Sequence, residues 1–187
     1  CMKTIYFDNN ATTPIADQVF EILVSTLQLG LKNPASQHGA GRQSRRQLEL
    51  TRRQVEGLLG GNQQGSDDAI VFTSGGTEAN NFALQGICAS FPQRGRLIIS
   101  GIEHPSVTAA AEMLEKDGWD LKVVNTLPSG KINLGHLDSL FNDETRLVSV
   151  MLANNETGVI QPITDVVAQC KNHGVLVHTD AVQAVGK

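Results

Sequence analysis

Short β-branched runs alternate with amphipathic stretches through most of the chain. Runs at residues 69–73, 96–100, 121–126, 146–152 and 175–179 carry Val, Ile and Leu at neighbouring positions, as strands covered on both faces do. Between them a helical spacing of apolar positions predicts helices at 77–90, 105–116, 134–141 and 164–173. This alternation predicts an α/β fold with a mostly parallel sheet sandwiched by helices. Upstream, 16–29 and 41–59 read as two amphipathic helices joined by the turn Asn33-Pro34-Ala35-Ser36, and 4–7 as a short strand. Residues 1–15 read as an arm for a second, small domain or a subunit contact, and 16–187 as the sheet-building domain. After the last predicted strand, 180–187 opens a connection that does not return to the sheet. Parallel strands need a crossover of about a dozen residues, so the sheet is expected to be cut off before completion.

Composition narrows the class. The chain is 40% hydrophobic, 18% charged and carries a net charge of −4, as ordinary soluble globular proteins do. That mildly acidic balance gives no reason to expect nucleic acid as a partner. The one basic cluster, Arg42, Arg45, Arg46, Arg52 and Arg53, is interleaved with Glu49 and Glu56 and reads first as a solvated helix face. Aromatic residues are only 4%, too few for base-stacking platforms. No apolar run approaches the roughly 18 to 20 residues of a membrane span, no secretory signal is visible, and a cytoplasmic location is expected. Cys1 stands before Met2, where a natural start is expected. The three cysteines lie far apart, which argues against a disulfide framework and against a zinc or other metal site. Cys88 and Cys170 fall in predicted helices and read as buried small apolar residues rather than nucleophiles.

Four segments carry candidate chemistry. Thr73-Ser74-Gly75-Gly76-Thr77-Glu78 lies between a predicted strand and a predicted helix. Glycines let the backbone approach a ligand, free N–H groups at a helix start attract an anion, and Thr77 adds a hydroxyl; a plain helix cap is the bland alternative. Glu103-His104-Pro105 sits at a strand-to-helix junction, where open parallel sheets bind ligands. There His104 can stack on a heteroaromatic ring, move a proton, or merely cap. Ala153-Asn154-Asn155-Glu156-Thr157-Gly158 follows another strand and reads either as turn chemistry or as an amide, Asn155, turned to a polar ligand. Asp180 ends an apolar strand, where a buried acid calls for a cationic partner such as a protonated pyridine nitrogen. The bland alternative is a helix N-cap, and Gln183, three residues on, fits a capping box under either reading. An anion cradle, a stacking histidine, an amide and a buried acid are the parts that hold one phosphorylated pyridine.

Taken in order, these segments resemble the cysteine desulfurases related to the nitrogen-fixation and iron–sulfur-assembly enzymes. Asp8-Asn9-Asn10-Ala11-Thr12-Thr13-Pro14, Asn33-Pro34-Ala35-Ser36 with His38-Gly39, 73–81, Glu103-His104, Asn154-Asn155-Glu156-Thr157-Gly158 and 178–187 follow the family's order along the whole chain. The resemblance implies the large domain of the aspartate-aminotransferase type of pyridoxal-phosphate enzyme. Gly76 and Thr77 would hold the cofactor phosphate, and His104 would stack on the ring and shuttle protons. Asn155 would reach the ring hydroxyl, Asp180 would pair with the pyridinium nitrogen, and Gln183 would face the ring. It further implies a homodimer, L-cysteine as substrate, alanine and an enzyme-bound persulfide as products, and a sulfur-acceptor or scaffold protein as partner. The family's Schiff-base lysine lies downstream of the Gly-Lys matched by Gly186-Lys187, and its nucleophilic cysteine further along, so this chain by itself is expected to be inactive. Alternatives from the same group are another class-V aminotransferase or a selenocysteine lyase; from other classes, a non-catalytic partner-binding domain. A nucleotide-binding oxidoreductase is disfavoured, because 74–78 lacks the G-x-G-x-x-G spacing.

Overall fold

The computed structural model describes residues 5, 6, 8, 9, 12–61 and 68–186, which form two compact units dividing after Phe72. Thr4 and Phe7 of the strand expected at 4–7, together with Cys1, Asn10, Ala11 and Lys187, lie outside the described residues.

The first unit carries α1 (Asp17–Gln28) and α2 (Gly39–Leu58), each within two residues of the predicted bounds. The turn between them is fixed by asparagine chemistry: Asn33 accepts the Ala35 N–H on its side chain and the Ser36 N–H on its carbonyl. His38 caps α2 by accepting the Gly41 N–H. A Cβ at Gly41 would stand 2.3 Å from the Ser36 carbonyl oxygen, so only glycine lets the turn lie against the helix. In the basic cluster, Arg52 is bound within the unit, paired with Glu49 and lying over the Phe72 ring. Arg46 and Arg53 are exposed, as a solvated face requires.

Residues 69–73, expected as a strand, form none. A strand exists only as one side of a ladder, and among the described residues no strand pairs with this segment; the Ile70 carbonyl instead accepts from Arg52.

The second unit is the α/β layer structure that the alternation predicts. Its elements in order are α3 (Gly76–Ala89), β1 (Arg96–Ser100), α4 (Pro105–Lys116), β2 (Asp120–Val124), α5 (Leu134–Leu140), β3 (Thr145–Ser149), α6 (Ile163–Asn172) and β4 (Leu176–His178). The four strands run parallel in the order β2-β1-β3-β4. Alternation along β1 sorts the two cores. Leu97 and Ile99 pack with Leu84, Val107, Ala111 and Trp119 on the α3–α4 face, while Ile98 packs with Val124, Leu137, Val166 and Cys170 on the α5–α6 face. Cys88 and Cys170 are buried free thiols, pushed up to about 11 by burial, which suits the apolar role read from the sequence. No helix among the described residues is long and apolar enough to cross a membrane.

Candidate functional site

In a parallel sheet every strand delivers its following loop to the same end, here the loops after β1, β3 and β4. These loops carry three of the four candidate segments, and the fourth opens α3. The expected strand before that segment is the missing one at 69–73, so α3 presents its N-terminus without a preceding ladder.

Hydrogen bonds across the fold draw the segments together. Asp180 is buried, 7% exposed, beyond the end of β4. Its Oδ2 accepts from Asn80 Nδ2 at 2.8 Å and its Oδ1 from the Val182 N–H at 3.0 Å. The second of these bonds is an Asx turn. Residues 182–186 make turns and form no regular helix; the Ala184 and Val185 N–H groups both reach the Ala181 carbonyl. A carboxylate offers about four acceptor positions, so Asp180 keeps capacity for a cation.

Asn80 lies one turn into α3 and is 4% exposed. The same amide nitrogen reaches Ser106 Oγ at 2.9 Å, and Ser106 Oγ lies 2.7 Å from His104 Nδ1. His104 is the N-cap of α4, accepting the Ser106 N–H at 3.1 Å, with Pro105 at the first helical position. Capping does not bury the residue, which stays exposed. The capping and functional readings of His104 are therefore compatible: one ring nitrogen caps while the rest of the ring stays open.

At the start of α3, Gly75 supplies the N-cap with no side-chain hydrogen bond, so the first-turn N–H groups have no capping side chain. Thr77 is exposed beside them. Glu78 turns back instead, accepting from Ser74 N–H and Ser74 Oγ at 2.6 Å each, and these bonds hold its carboxyl below the usual range. A Cβ at Gly76 would fall 2.8 Å from Val182 Cγ2, so the bare glycine is what lets the helix start lie beside the Asp180 turn.

Asn154 is the buried member of its pair, 9% exposed. It donates to the Ile102 carbonyl and accepts from the N–H groups of Glu156 and Thr157. It ties the loop after β3 to the loop after β1, while Asn155, half-buried, is the neighbour left nearer the surface. Gln183 is likewise half-buried in the turn after Asp180. His178 Nδ1 lies 2.9 Å from Ser149 Oγ, and burial holds its basicity below the ordinary value against the opposing pull of Asp180.

Asn80, Ser106, Glu103 and Asn154 are the residues that reading the chain did not assign to the site. The available signals were a polar residue in a buried helix position for Asn80 and an acid three residues after a buried strand for Glu103. Ser106 had none beyond its place in the first turn.

The donor set suits a phosphorylated pyridine. An uncapped helix start meets an anion, Gly76 leaves the room a Cβ would fill, and a buried carboxylate with spare acceptor positions meets a ring cation.

The aminotransferase class-V family matches residues 5–187. Cysteine desulfurase 2 of Trichormus variabilis is 38% identical over 186 residues, which are 100% of this chain and 46% of that protein. Cysteine desulfurase NifS of Azotobacter vinelandii is 37% identical over the same share of each. Among solved structures, a NifS-like protein superposes with a TM-score of 0.90 at 39% identity, covering 98% of this chain and 50% of that one. SspA in complex with cysteine superposes at 0.86 with 31% identity, covering 97% and 51%. The chain thus spans about half the length of the relatives it matches.

Proposed function

We propose that this chain, which belongs to the aminotransferase class-V family of pyridoxal-phosphate enzymes, is the cofactor-holding front portion of a cysteine desulfurase. The parent enzyme would take L-cysteine to alanine and pass the sulfur, as an enzyme-bound persulfide, to an acceptor or scaffold protein. It would do so as a cytoplasmic homodimer. A neighbour solved in complex with cysteine supports that substrate. Residues 1–15 would serve a small domain or subunit contact, and 16–187 would be part of the large domain.

The observation that carries the reading is the chain of polar groups from buried Asp180 through buried Asn80 and Ser106 to exposed His104, alongside the open start of α3. When bound, pyridoxal phosphate supplies an electron sink that stabilises negative charge on the amino-acid carbon. The residues of this chain hold and tune it. The N–H groups at Gly76 and Thr77, with the Thr77 hydroxyl, bind the phosphate. Asp180 keeps a proton on the pyridine nitrogen by supplying the counter-charge. His104 would lie against the ring and exchange a proton with the substrate side, Asn155 would orient through the ring hydroxyl, and Gln183 would face the ring.

The test is Asp180→Asn in the full-length parent. The amide keeps the shape and loses the charge, so cofactor remains bound while turnover of L-cysteine falls about 100-fold or more. Undiminished turnover with cofactor bound would remove Asp180 from this role.

A further inference from the structure

Within the site read above as a cofactor cradle, we propose that Asn80 and Ser106 are positioning residues that hold the resting His104 ring with its proton on Nε2. The role given to that ring rests on the cofactor reading; the placement of its proton does not. Asp180 sets the direction of every bond in the series. A carboxylate only accepts, so the group 2.8 Å from Asp180 Oδ2 must be the NH₂ of Asn80. That nitrogen has two hydrogens, one for Asp180 and one for Ser106 Oγ at 2.9 Å. Ser106 Oγ is thereby an acceptor from Asn80, and its own hydrogen points to His104 Nδ1, 2.7 Å away. The Ser106 backbone N–H, which can only donate, reaches the same Nδ1 at 3.1 Å. Two donors converge on one ring nitrogen. Nδ1 must offer its lone pair, and the neutral ring carries its hydrogen on Nε2.

Burial makes the series rigid. Asp180, Asn80 and Ser106 are 7%, 4% and 7% exposed, so turning the Asn80 amide would set two acceptors face to face away from water. His38, also a helix cap, has a single donor on its Nδ1, the Gly41 N–H at 3.2 Å. His104 differs from it by the added hydroxyl and the buried acid behind it. The consequence is chemical. His104 meets a bound amino acid as a hydrogen-bond donor through Nε2–H, while its lone pair, on Nδ1, faces the two Ser106 donors and not the ligand.

The experiment is nitrogen NMR on ¹⁵N-histidine-labelled protein at mildly alkaline pH, with His104 assigned by the loss of its signals in His104→Gln. The expected spectrum has a pyridine-like Nδ1 and a pyrrole-like, protonated Nε2. Ser106→Ala removes one of the two donors and shifts the Nδ1 resonance toward the singly bonded value, and Ser106→Thr restores it. Asn80→Ala removes the donor that fixes the direction of the Ser106 hydroxyl and shifts Nδ1 in the same direction. A proton on Nδ1 in the wild type overturns the proposal. So do His104 nitrogens that stay in place in Ser106→Ala, which a merely structural role would leave unmoved; this variant decides if Asn80→Ala does not fold. Pyridoxal phosphate binding, followed separately by absorbance, keeps the two readings apart. No binding with Nε2 protonated removes the cofactor reading alone, while binding with Nδ1 protonated removes the positioning network alone.

Discussion

Glu103 holds one carboxyl oxygen, Oε1, against Ser100 Oγ and the Met151 N–H, while Oε2 is buried without a partner among the described residues. Burial pushes the carboxyl up from 4.5 to about 7; the two hydrogen bonds oppose the rise and the charge of Asp180 adds to it. Between those pH values the folded protein keeps a proton that the unfolded chain has lost. The stability contributed by the neutral acid is therefore full below pH 4.5 and lost as the pH rises through about 7, roughly 3 kcal/mol in all. Glu103→Gln keeps the acceptor and cannot ionise. Urea denaturation at pH 5 and pH 8 should show the variant gaining on the wild type by about 2.5 kcal/mol across that interval. A difference that does not change with pH would mean that the carboxyl is not held neutral. His178 works from the acid side. Its basicity is depressed below the ordinary 6.5, so the unfolded chain takes up the proton first and stability falls as the pH drops below that value. The variant should retain this acid limb after losing the alkaline one.

At the scale of elements, the start of α3 concentrates two demands in one glycine. Any side chain at Gly76 displaces Val182, whose N–H holds Asp180 Oδ1, and also closes the approach to the first-turn N–H groups. Gly86 on the same helix has open space around its Cβ position. Gly76→Val should therefore weaken pyridoxal phosphate binding by about tenfold or more, roughly 1.4 kcal/mol. Gly86→Ala should leave binding unchanged and add about 0.5–1 kcal/mol of stability. Equal affinities in a fluorescence titration would detach Gly76 from the cradle. Gly61 is no neutral comparison, since a Cβ there meets Glu56 Cγ at 2.7 Å. The elements themselves were legible where their signals are local. Proline after His104 marks the start of α4, and the Arg96–Ser100 run is a strand at the same residues. The 69–73 run fails because a β-branched pattern describes half of a pairing, and the other half is not local. The site divides in the same way. His104 and Asp180 stand out at strand ends, whereas the bond joining Asn80 to Asp180 spans 100 residues and leaves no trace in local spacing.

For the whole molecule, the question is whether the parts gathered at one end of this sheet suffice for chemistry. A covalent pyridoxal-phosphate site needs a lysine amine at the cofactor's reactive carbon. Among the described residues, Lys116 and Lys171 lie in the last turns of α4 and α6, helices that return the chain from the carboxyl ends of the strands to their amino ends. Lys122 is on edge strand β2, paired to Asp120 at 2.7 Å. Lys131 precedes Ile132, which packs on the α5–α6 face, across the sheet from α3 and Asn80. Lys32 belongs to the first unit, and Lys3 and Lys187 lie outside the described residues. None of the five described lysines is joined by a hydrogen bond or ion pair to the Asp180–Asn80–Ser106–His104 series. The 187-residue chain, incubated with pyridoxal phosphate and then reduced with borohydride, should therefore show weak reversible binding without stoichiometric labelling of any one lysine. It should release no sulfide from L-cysteine. Peptide mapping by mass spectrometry reads the first outcome and a sulfide assay the second. If one lysine is labelled one-to-one and sulfide appears, this half-length chain already holds a working site. The lysine so marked would then identify which loop completes it.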